Sequence, residues 1–301
     1  MRQLKLLFLM TALTLLVSKM NANQALKMCT DKLVEGKIEN ARYEAMCLIE
    51  KVFGLNHSAL IVYGNDEVDS DKLCNLNELV NRRLNREPLQ YILGSWSFCG
   101  FDFEVGEGVL IPRDDTEVVL NLCLDFLKNK TDAKVIDLCA GSGAISVALQ
   151  KLSNANVTGI ELSDKAFEYF NRNIKLNNSS VKAVKGDILK CYNDFNDDEF
   201  DLIVSNPPYI KSEDILTLQS EVQKEPKMAL DGGVDGFDFY KSIISNWTSK
   251  LKNGGTLAFE LGENQADYVK QLMTENKYTN ITTELDLGGT QRAIIGTVGK
   301  K

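Results

Sequence analysis

Five glycine, acidic or amide residues stand at the ends of four apolar segments that have the pattern of buried strands. Gly141 and Gly143 follow "VIDLCA", Glu161 ends "VTGIE", Asp187 ends "VKAVKGD", and Asn206 follows "FDLIVS". Because ligands of open α/β sheets bind at the carboxyl ends of the strands, we expect these positions to converge on one ligand. Glycines before a helix let a ligand approach the backbone closely, and the free N–H groups at the helix start favour a polar or anionic group.

The acids point to a ligand that contains a nucleoside. Glu161 stands about twenty residues after the glycines, where an acid accepts the two hydroxyl groups of a ribose. Asp187 beside Ile188 suits an adenine ring, with the carboxylate accepting the exocyclic amine. These residues admit either NAD or S-adenosylmethionine, but Ile145 and Ser146 stand where the dinucleotide fingerprint would place its last glycine. A terminal antiparallel hairpin, predicted below, also departs from the NAD-binding sheet.

The segment after Asn206 raises a separate question. The chain has only five prolines, and two of them, Pro207 and Pro208, stand side by side between Asn206 and Tyr209. Proline fixes φ and removes a backbone donor, so this loop is stiff and presents carbonyl acceptors. The sequence therefore predicts a rigid loop that holds a bound group at the end of a buried strand.

Other chemistries are disfavoured by what the chain lacks. His57 is the single histidine and lies in "GLNHSAL", far from any nucleophile motif, so catalysis by a Ser-His-Asp or Cys-His arrangement is not expected. The seven cysteines are scattered and include no C-x-x-C pair, which argues against a zinc site or a disulfide framework and fits a reducing compartment. The net charge of −8 argues against a surface that follows a nucleic-acid backbone. We predict no metal.

Helical periodicity dominates from residue 20 to residue 93. Apolar residues recur at helical spacing in "ARYEAMCLIEKVFGL" and "DKLCNLNELVNRRLNREPL", and Gly36, Gly54 and Gly64 separate the segments. This pattern predicts a small all-helical domain. The arginines of "NRRLNRE" admit two interpretations, favourable charge at a helix end or a contact surface for an acidic partner. Residues 94–112 alternate apolar and small residues with several glycines, which predicts a β-hairpin that links two domains.

Strands and helices alternate in the rest of the chain. We predict five strands at "KVIDLC", "NVTGIEL", "VKAVKGD", "FDLIVSN" and "GGTLAFEL", followed by two last strands, "ITTELDL" and "QRAIIGTV". We predict helices at "GAISVALQKL", "DKAFEYFNRNIKLN", "FYKSIISNWTSKL" and "ENQADYVKQLMTEN". Such alternation is typical of a parallel sheet with helices on both faces. The last two strands are joined by "GGT", too short for a parallel crossover, so they must be antiparallel. The predicted fold is α/β, with seven mostly parallel strands, the last one antiparallel, in a domain that spans residues 113–301.

Residues 1–19 stand apart from both domains. "MRQLK" is basic and "LLFLMTALTLLV" is apolar, as in a signal peptide, but no clean cleavage site follows. The apolar run is short for a membrane span. A second methionine, Met20, stands just before a capped amphipathic helix. Two interpretations stay open, a translation start placed too early or a genuine targeting or anchoring segment.

Six stretches together resemble one family. These are "REPLQYILGSWSFCGFDFEV", "LIPRDDTE", "DLCAGSGAISVAL", "VSNPPYI", "EPKMALDGGVDGFDFY" and "GGTQRAIIG". The chain from about Met20 resembles the PrmC/HemK family, the peptide chain release factor glutamine-N5 methyltransferases, and its catalytic domain resembles a class I S-adenosylmethionine-dependent methyltransferase. The N-terminal extension and Ala140 in the glycine turn are the departures from the family pattern.

The resemblance implies a function and a set of site residues. The enzyme would transfer a methyl group from S-adenosylmethionine to the glutamine side chain in the Gly-Gly-Gln motif of release factors, with residues 20–93 recognising that substrate. The Asn206 oxygen and the Pro207 carbonyl would accept the two amide protons, and Tyr209 would pack over the amide. Arg113 and Glu225 would shape the site. The implied cofactor residues are Cys139, Ala140, Gly141, Ser142, Gly143, Glu161, Asp187, Ile188 and Asn206; the implied substrate residues are Asn206, Pro207, Pro208 and Tyr209.

Two alternatives remain open at this point. "NPPY" also permits an adenine-N6 or guanine-N2 methyltransferase acting on nucleic acid, although the acidic charge and the helical domain disfavour it. A methyltransferase fold kept as a non-catalytic binding module would show decay at Gly141, Glu161 or Asn206, and all three residues are present. We expect a cytoplasmic monomer that has release factors as its partners and contacts no nucleic acid, and no membrane unless residues 1–19 are an anchor.

Overall fold

The computed structural model describes residues 20–299, and the predicted N-terminal extension lies outside these residues. The chain divides into two compact units between Leu93 and Gly94. The first unit is helical, and its helices are α1 (Ala22–Glu35), α2 (Ala41–Phe53), α3 (His57–Tyr63), α4 (Ser70–Leu84) and α5 (Leu89–Leu93).

Local signals explain where these helices begin and end. The Asn21 side chain accepts a hydrogen bond from the Gln24 N–H while the Gln24 side chain accepts from the Asn21 N–H, a capping box that starts α1. Gly36, Gly54 and Gly64 each follow a helix, and Gly54 takes the left-handed conformation with φ of 72°. The glycines that separate the helical segments in the sequence therefore lie at helix ends.

The three arginines near the end of α4 make contacts inside the helical unit. Arg83 is buried and pairs with Glu44 at 2.5 Å between Nε and Oε2. Arg82 pairs with Glu87 at 2.5 Å, and Arg86 donates to the Gly36 carbonyl at 2.9 Å. These contacts favour a structural role for the arginines over a surface for an acidic partner, since their charges are already engaged.

The second unit holds a hairpin followed by the α/β elements. Strands β1 (Ser95–Phe98) and β2 (Phe101–Glu104) pair antiparallel. The elements that follow are α6 (Thr116–Leu127), β3 (Lys134–Leu138), α7 (Ala144–Leu152), β4 (Asn156–Glu161), α8 (Asp164–Leu176), β5 (Lys182–Lys185), β6 (Phe200–Ser205), α9 (Asp238–Trp247), β7 (Leu251–Glu260), α10 (Ala266–Glu275), β8 (Tyr278–Leu285) and β9 (Gln291–Val298).

The second unit contains a seven-stranded sheet in the order β5-β4-β3-β6-β7-β9-β8. All pairs among β3 to β7 are parallel, and β9 runs antiparallel to both β7 and β8. The predicted seven-stranded, mostly parallel sheet with an antiparallel last strand is confirmed. Strand β3 lies between β4 and β6. The chain therefore adds β4 and β5 on one side of β3 and all later strands on the other side.

Helices cover both faces of this sheet. Val135 packs in the apolar cluster that includes Leu120 and Leu149 from α6 and α7. Its neighbour Ile136 packs in the opposite cluster, with Trp247 of α9 among its members. Because successive strand residues point to opposite faces, strands buried on both sides read as continuous apolar runs, as they do in the sequence.

Some boundaries differ from the predicted ones. The helix predicted at "FYKSIISNWTSKL", residues 239–251, ends at Trp247. Strand β7 begins at Leu251, three residues before Gly254, where the sequence pattern places its start. Helix α6 was not among the predicted elements, although its buried face contributes to the core. Among residues 20–299, no single helix is long and apolar enough to cross a membrane; the pair α2 and α3, bent by 69°, passes a test of length and composition only.

Candidate active site

The strand order creates a crevice between β3 and β6. The connections leave these two neighbouring strands in opposite directions, and ligands of open α/β sheets bind at such a switch point, outside the carboxyl ends of the strands. A cavity of about 310 Å³ lies there. Its lining includes Gly108, Leu110, Cys139, Gly141, Ile160, Glu161, Leu162, Ser163, Gly186, Asp187, Ile188, Asn206, Pro208, Met228, Ala229, Asp231 and Phe239.

The turn between β3 and α7 forms the floor of this cavity. Gly141 and Gly143 both have positive φ, 57° and 84°. A Cβ at Gly143 would lie 2.2 Å from Cδ2 of Phe170, so the turn requires glycine there for space as well as for conformation. Cys139 also has positive φ, 66°, which is unfavourable for a residue with a side chain. Of the residues in this turn, Cys139 and Gly141 line the cavity.

Glu161 ends β4 with its carboxylate facing the same cavity. One oxygen accepts the Gly141 N–H at 2.8 Å, and the other accepts the Ser163 N–H at 2.6 Å. The residue is buried, and this burial raises the pKa of the carboxyl group, while the backbone donors oppose the rise. Each carboxylate oxygen keeps further acceptor capacity, so Glu161 can bind the glycine turn and two ligand hydroxyl groups together.

Asp187 and Ile188 line the cavity beyond β5. The hydrogen bond from Lys190, 2.8 Å between Nζ and Oδ2, lowers the pKa of the Asp187 carboxyl group, so this residue is an anionic acceptor at neutral pH. Ile188 is buried, and its carbonyl accepts the Trp247 indole N–H at 3.0 Å. An apolar side chain next to a carboxylate offers one surface for a flat ring and one acceptor for a ring amine.

Asn206 lies where two cavities meet. The second cavity, of about 140 Å³, is lined by Leu110, Arg113, Asn206, Tyr209, Ile210, Val222, Ala229, Leu230 and Glu260. Asn206 contributes to the lining of both cavities. Its side-chain Nδ2 donates to Oγ1 of Thr116 at 3.4 Å, so the amide oxygen lies on the side away from Thr116. A group in the smaller cavity can therefore contact Asn206 next to a ligand in the larger one.

The loop that follows Asn206 is held by a second segment. The Ile210 N–H donates to the Leu230 carbonyl at 2.9 Å, and the Gly232 N–H donates to the Ile210 carbonyl at 2.8 Å. The Tyr209 carbonyl accepts from Nε2 of Gln265 at 2.9 Å. Pro207 and Pro208 are buried. The loop is thus rigid for two reasons, the fixed φ of its prolines and backbone pairing with residues 230–232.

Arg113 and Glu225 join two more segments around the smaller cavity. The Glu225 side chain is buried, forms an ion pair with Arg113 and accepts the Ile111 N–H at 3.0 Å. The contact connects residues 110–113 to residues 225–230, and both segments line the cavities. The ion pair therefore fixes two walls of the site relative to each other.

The predicted site residues do not all reach the cavities. The larger cavity includes Cys139, Gly141, Glu161, Asp187, Ile188, Asn206 and Pro208 in its lining, and the smaller one includes Asn206 and Tyr209. Ala140, Ser142, Gly143 and Pro207 line neither. Ala140 and Gly143 instead form the turn itself, since the Gly143 N–H donates to the Ala140 carbonyl at 2.8 Å. Roles for these four residues stay predictions.

Two residues of the site were missed by the sequence patterns. Glu260 ends β7, and its Oε2 accepts the hydroxyl of Thr116, the first residue of α6, at 2.6 Å. Tyr209 donates its hydroxyl to Oε1 of Glu260 at 3.2 Å. Burial raises the pKa of the Glu260 carboxyl group to about 7, and burial also raises the pKa of Tyr209. An acid at the carboxyl end of a predicted strand, "LAFEL", was the available signal for Glu260.

Within residues 20–299, no group of three or more histidine, cysteine, aspartate or glutamate side chains is arranged to hold a metal ion.

Solved structures show that the fold is shared with methyltransferases. A methyltransferase from Pyrococcus furiosus aligns with 75% of this chain and 98% of its own, with a TM-score of 0.50 and 21% identity. The hMettl16 catalytic domain aligns with 75% of this chain and 81% of its own, with a TM-score of 0.53 and 16% identity. At these identities the similarity establishes the fold and no more.

Similarity in sequence identifies the family of this chain more specifically than similarity in fold does. The family described as the PrmC N-terminal domain matches residues 24–94, and the methyltransferase small domain matches residues 114–279. A release factor glutamine methyltransferase of Geobacter sulfurreducens is 41% identical, covering 89% of this chain and 93% of its own. One from Fusobacterium nucleatum is 37% identical, covering 87% and 75%. This chain therefore belongs to the release factor glutamine methyltransferase family.

Proposed function

We propose that this protein transfers a methyl group from S-adenosylmethionine to the side-chain amide nitrogen of the glutamine in the Gly-Gly-Gln motif of peptide chain release factors, and so supports translation termination. Asn206, in the wall shared by the two cavities, is the observation that carries the proposal. A cofactor in the larger cavity and a glutamine side chain in the smaller one would meet beside this residue. The family membership of the chain supports the same substrate.

The residues around the larger cavity fit S-adenosylmethionine. The buried Glu161 carboxylate would accept the ribose hydroxyls, Asp187 would accept the adenine amine, and the Ile188 side chain would contact the ring. The turn at Gly141 would leave room for the methionine part. When bound, this cofactor supplies an electrophilic methyl group on a sulfonium.

The rigid loop addresses the chemical difficulty of the reaction. An amide nitrogen is a weak nucleophile because its lone pair is shared with the carbonyl group. The Asn206 amide oxygen and the Pro207 carbonyl would accept the two N–H groups of the glutamine, which orients the nitrogen and favours positive charge as it develops there. Tyr209 would pack over the amide. This is catalysis by positioning and by preorganised acceptors, and it needs no histidine. The products are N5-methylglutamine, S-adenosylhomocysteine and a proton.

The choice of a protein substrate over a nucleic acid is supported by the first unit. Residues 24–94 match the PrmC N-terminal domain, and we assign to the helical unit the recognition of the release factor. The net charge of −8 also disfavours a nucleic-acid substrate. That the enzyme is a cytoplasmic monomer that contacts no nucleic acid, and no membrane unless residues 1–19 are an anchor, stays a prediction.

The test is methylation of a purified release factor. The protein, S-adenosylmethionine and a release factor are incubated, and mass spectrometry of the Gly-Gly-Gln peptide is expected to show one added methyl group on the glutamine. A release factor with glutamate in place of that glutamine is the matched control and should stay unmodified. An unmodified peptide, together with methyl transfer to adenine or guanine in added RNA or DNA, would contradict the proposal and establish the alternative.

A further inference from the structure

The buried carboxylate of Glu260 lies beside the rigid loop at residues 206–209 and has no role in the mechanism described above. Glu260 is 1% exposed, and it follows Phe259, which pairs with Ser205 in neighbouring strands. Asn206 follows Ser205 in the same way. The two side chains are therefore adjacent at the carboxyl edge of the sheet, although 54 positions separate them in the numbering.

A continuous chain of hydrogen bonds connects these two residues. Asn206 Nδ2 lies 3.4 Å from the Thr116 hydroxyl oxygen, which lies 2.6 Å from Oε2 of Glu260. Tyr209 donates its hydroxyl to the other carboxylate oxygen at 3.2 Å. An ionised carboxylate only accepts hydrogen bonds, so both hydroxyl groups must point their protons at Glu260.

This polarity determines which end of the Asn206 amide faces the glutamine. When the Thr116 hydroxyl donates its hydrogen bond to Glu260, its oxygen can only accept from Asn206, so Nδ2 must face Thr116. The amide oxygen of Asn206 is then left on the opposite side, as the acceptor that the nitrogen of a substrate amide requires. We call the hydrogen-bonded chain from Asn206 through Thr116 to Glu260 the relay. If its hydrogen bonds ran in the opposite direction, Asn206 would present its NH₂ group to the substrate NH₂ group, and two donors would meet.

We propose that Glu260 is a positioning residue that acts through Thr116 to keep the Asn206 amide in the acceptor orientation required for methyl transfer. The inference rests on the proposed function, since the orientation matters for an amide substrate. Glu260 does not exchange a proton with the substrate in this account. Only the ionised carboxylate enforces this direction of hydrogen bonding. A protonated carboxyl group can donate to the Thr116 oxygen, and the Thr116 hydroxyl hydrogen can then point toward Asn206.

The groups around Glu260 bear on its ionisation. Thr116 of α6 and Asp115, the residue before that helix, face Glu260. Tyr209 faces it from the loop, and Arg292 faces it from β9. Tyr240 of α9 donates to the Glu260 backbone carbonyl at 2.9 Å. Burial raises the pKa of Glu260 to about 7, the two hydroxyl donors and Arg292 oppose the rise, and Asp115 adds to it. The relay is therefore expected to weaken on acidification below neutral pH.

The first test compares variants of the hydroxyl group. Thr116→Val keeps the shape but removes the relay, and we expect kcat on a release factor to fall about 5- to 10-fold, the effect of losing one orienting hydrogen bond. Thr116→Ser keeps the hydroxyl and should stay within about twofold of the unmodified enzyme. Thr256→Val is the matched control. It removes a buried hydroxyl from β7 that contacts Thr297 and lies outside both cavities.

The second test is the pH profile of kcat at saturating substrates. In the unmodified enzyme, kcat should fall as the pH is lowered from 8 to 6, since protonation of Glu260 relaxes the relay. Glu260→Gln does not titrate, and an amide can adopt either polarity toward Thr116. This variant should show a reduced kcat without the acidic decrease, and its affinity for S-adenosylhomocysteine should change less than about twofold, because Glu260 does not line the larger cavity.

These outcomes separate the two proposals. If the unmodified enzyme methylates no release factor, the proposed function is wrong. If it does, and Thr116→Val turns over as fast as Thr256→Val, or the acidic decrease persists in Glu260→Gln, the positioning role is wrong. Asp137, whose pKa burial also raises to about 7, stays in every variant, so a persistent decrease would point to that group.

Discussion

Replacing Glu161 with alanine should weaken cofactor binding far more than it weakens folding. The carboxylate is 8% exposed and is held toward the larger cavity by the N–H groups of Gly141 and Ser163, at 2.8 and 2.6 Å. Two charge-assisted hydrogen bonds to ribose hydroxyls contribute about 3–5 kcal/mol at most. Since 1.4 kcal/mol is tenfold, the dissociation constant of S-adenosylmethionine should rise by a factor whose upper limit is about 140 to 3,700.

The fold should tolerate this change because the freed backbone groups border an open cavity. The N–H groups of Gly141 and Ser163 lose their carboxylate acceptor, but water can replace it. Removing Glu161 also ends the burial of a charge, the effect that raises the pKa of this carboxyl group in the folded chain. We therefore expect a change in the free energy of unfolding of about 1 kcal/mol, well below the loss in binding.

Isothermal titration calorimetry with S-adenosylhomocysteine and thermal melting without ligand measure the two quantities separately. Asp164→Ala is the matched control, because Asp164 starts α8 three residues later, has an almost fully exposed side chain, and pairs with Lys185 at 2.5 Å. It removes the same charge from the same end of the sheet and should leave the dissociation constant within about twofold. Unchanged affinity in Glu161→Ala, or equal weakening in Asp164→Ala, would refute the assignment of Glu161 to the ribose.

Three further predictions follow from the site and its surroundings. Asn206→Ala should lower kcat about 100-fold or more, as loss of a preorganised hydrogen-bonding group does. Calorimetry should show little change in the affinity for S-adenosylhomocysteine. A variant with near-normal turnover would rule out the proposed binding of the substrate amide by Asn206. Gly143→Ala should lower the melting temperature, because its Cβ would lie 2.2 Å from Cδ2 of Phe170 and its φ is 84°; melting that matches the unmodified protein would mean that the turn relaxes freely. The ligand-free protein should lose stability as the pH rises from 5 to 8, because burial raises the pKa values of Asp137 and Glu260 to about 7 and the folded state therefore binds more protons than the unfolded chain in that window. Melting curves across this range test the trend, and Asp137→Asn should reduce the slope; a melting temperature that rises with pH would contradict it.

Much of the fold could be predicted because its signals are local. Continuous apolar runs predicted strands buried on both faces, and the short "GGT" connection required an antiparallel final pair. The helix over residues 116–127 was not predicted because the segment holds no chemical motif of its own. Its apolar face nevertheless packs in the core. The boundary of β7 was displaced because a strand that continues past its glycines depends on its neighbours in the sheet, not on the glycines themselves.

The amino-acid sequence by itself determined the residues that lie at the ends of single strands. Gly141, Glu161, Asp187 and Asn206 could be identified as candidate site residues because parallel strands have all their carboxyl ends at one edge of the sheet. Tertiary structure alone decided which distant residues support them. Glu260 bonds Thr116 across 144 positions, and Glu225 bonds the Ile111 N–H across 114, a separation at which no local periodicity carries information. A buried acid acquires its partners, its raised pKa and its role only when the helices and loops around it have packed.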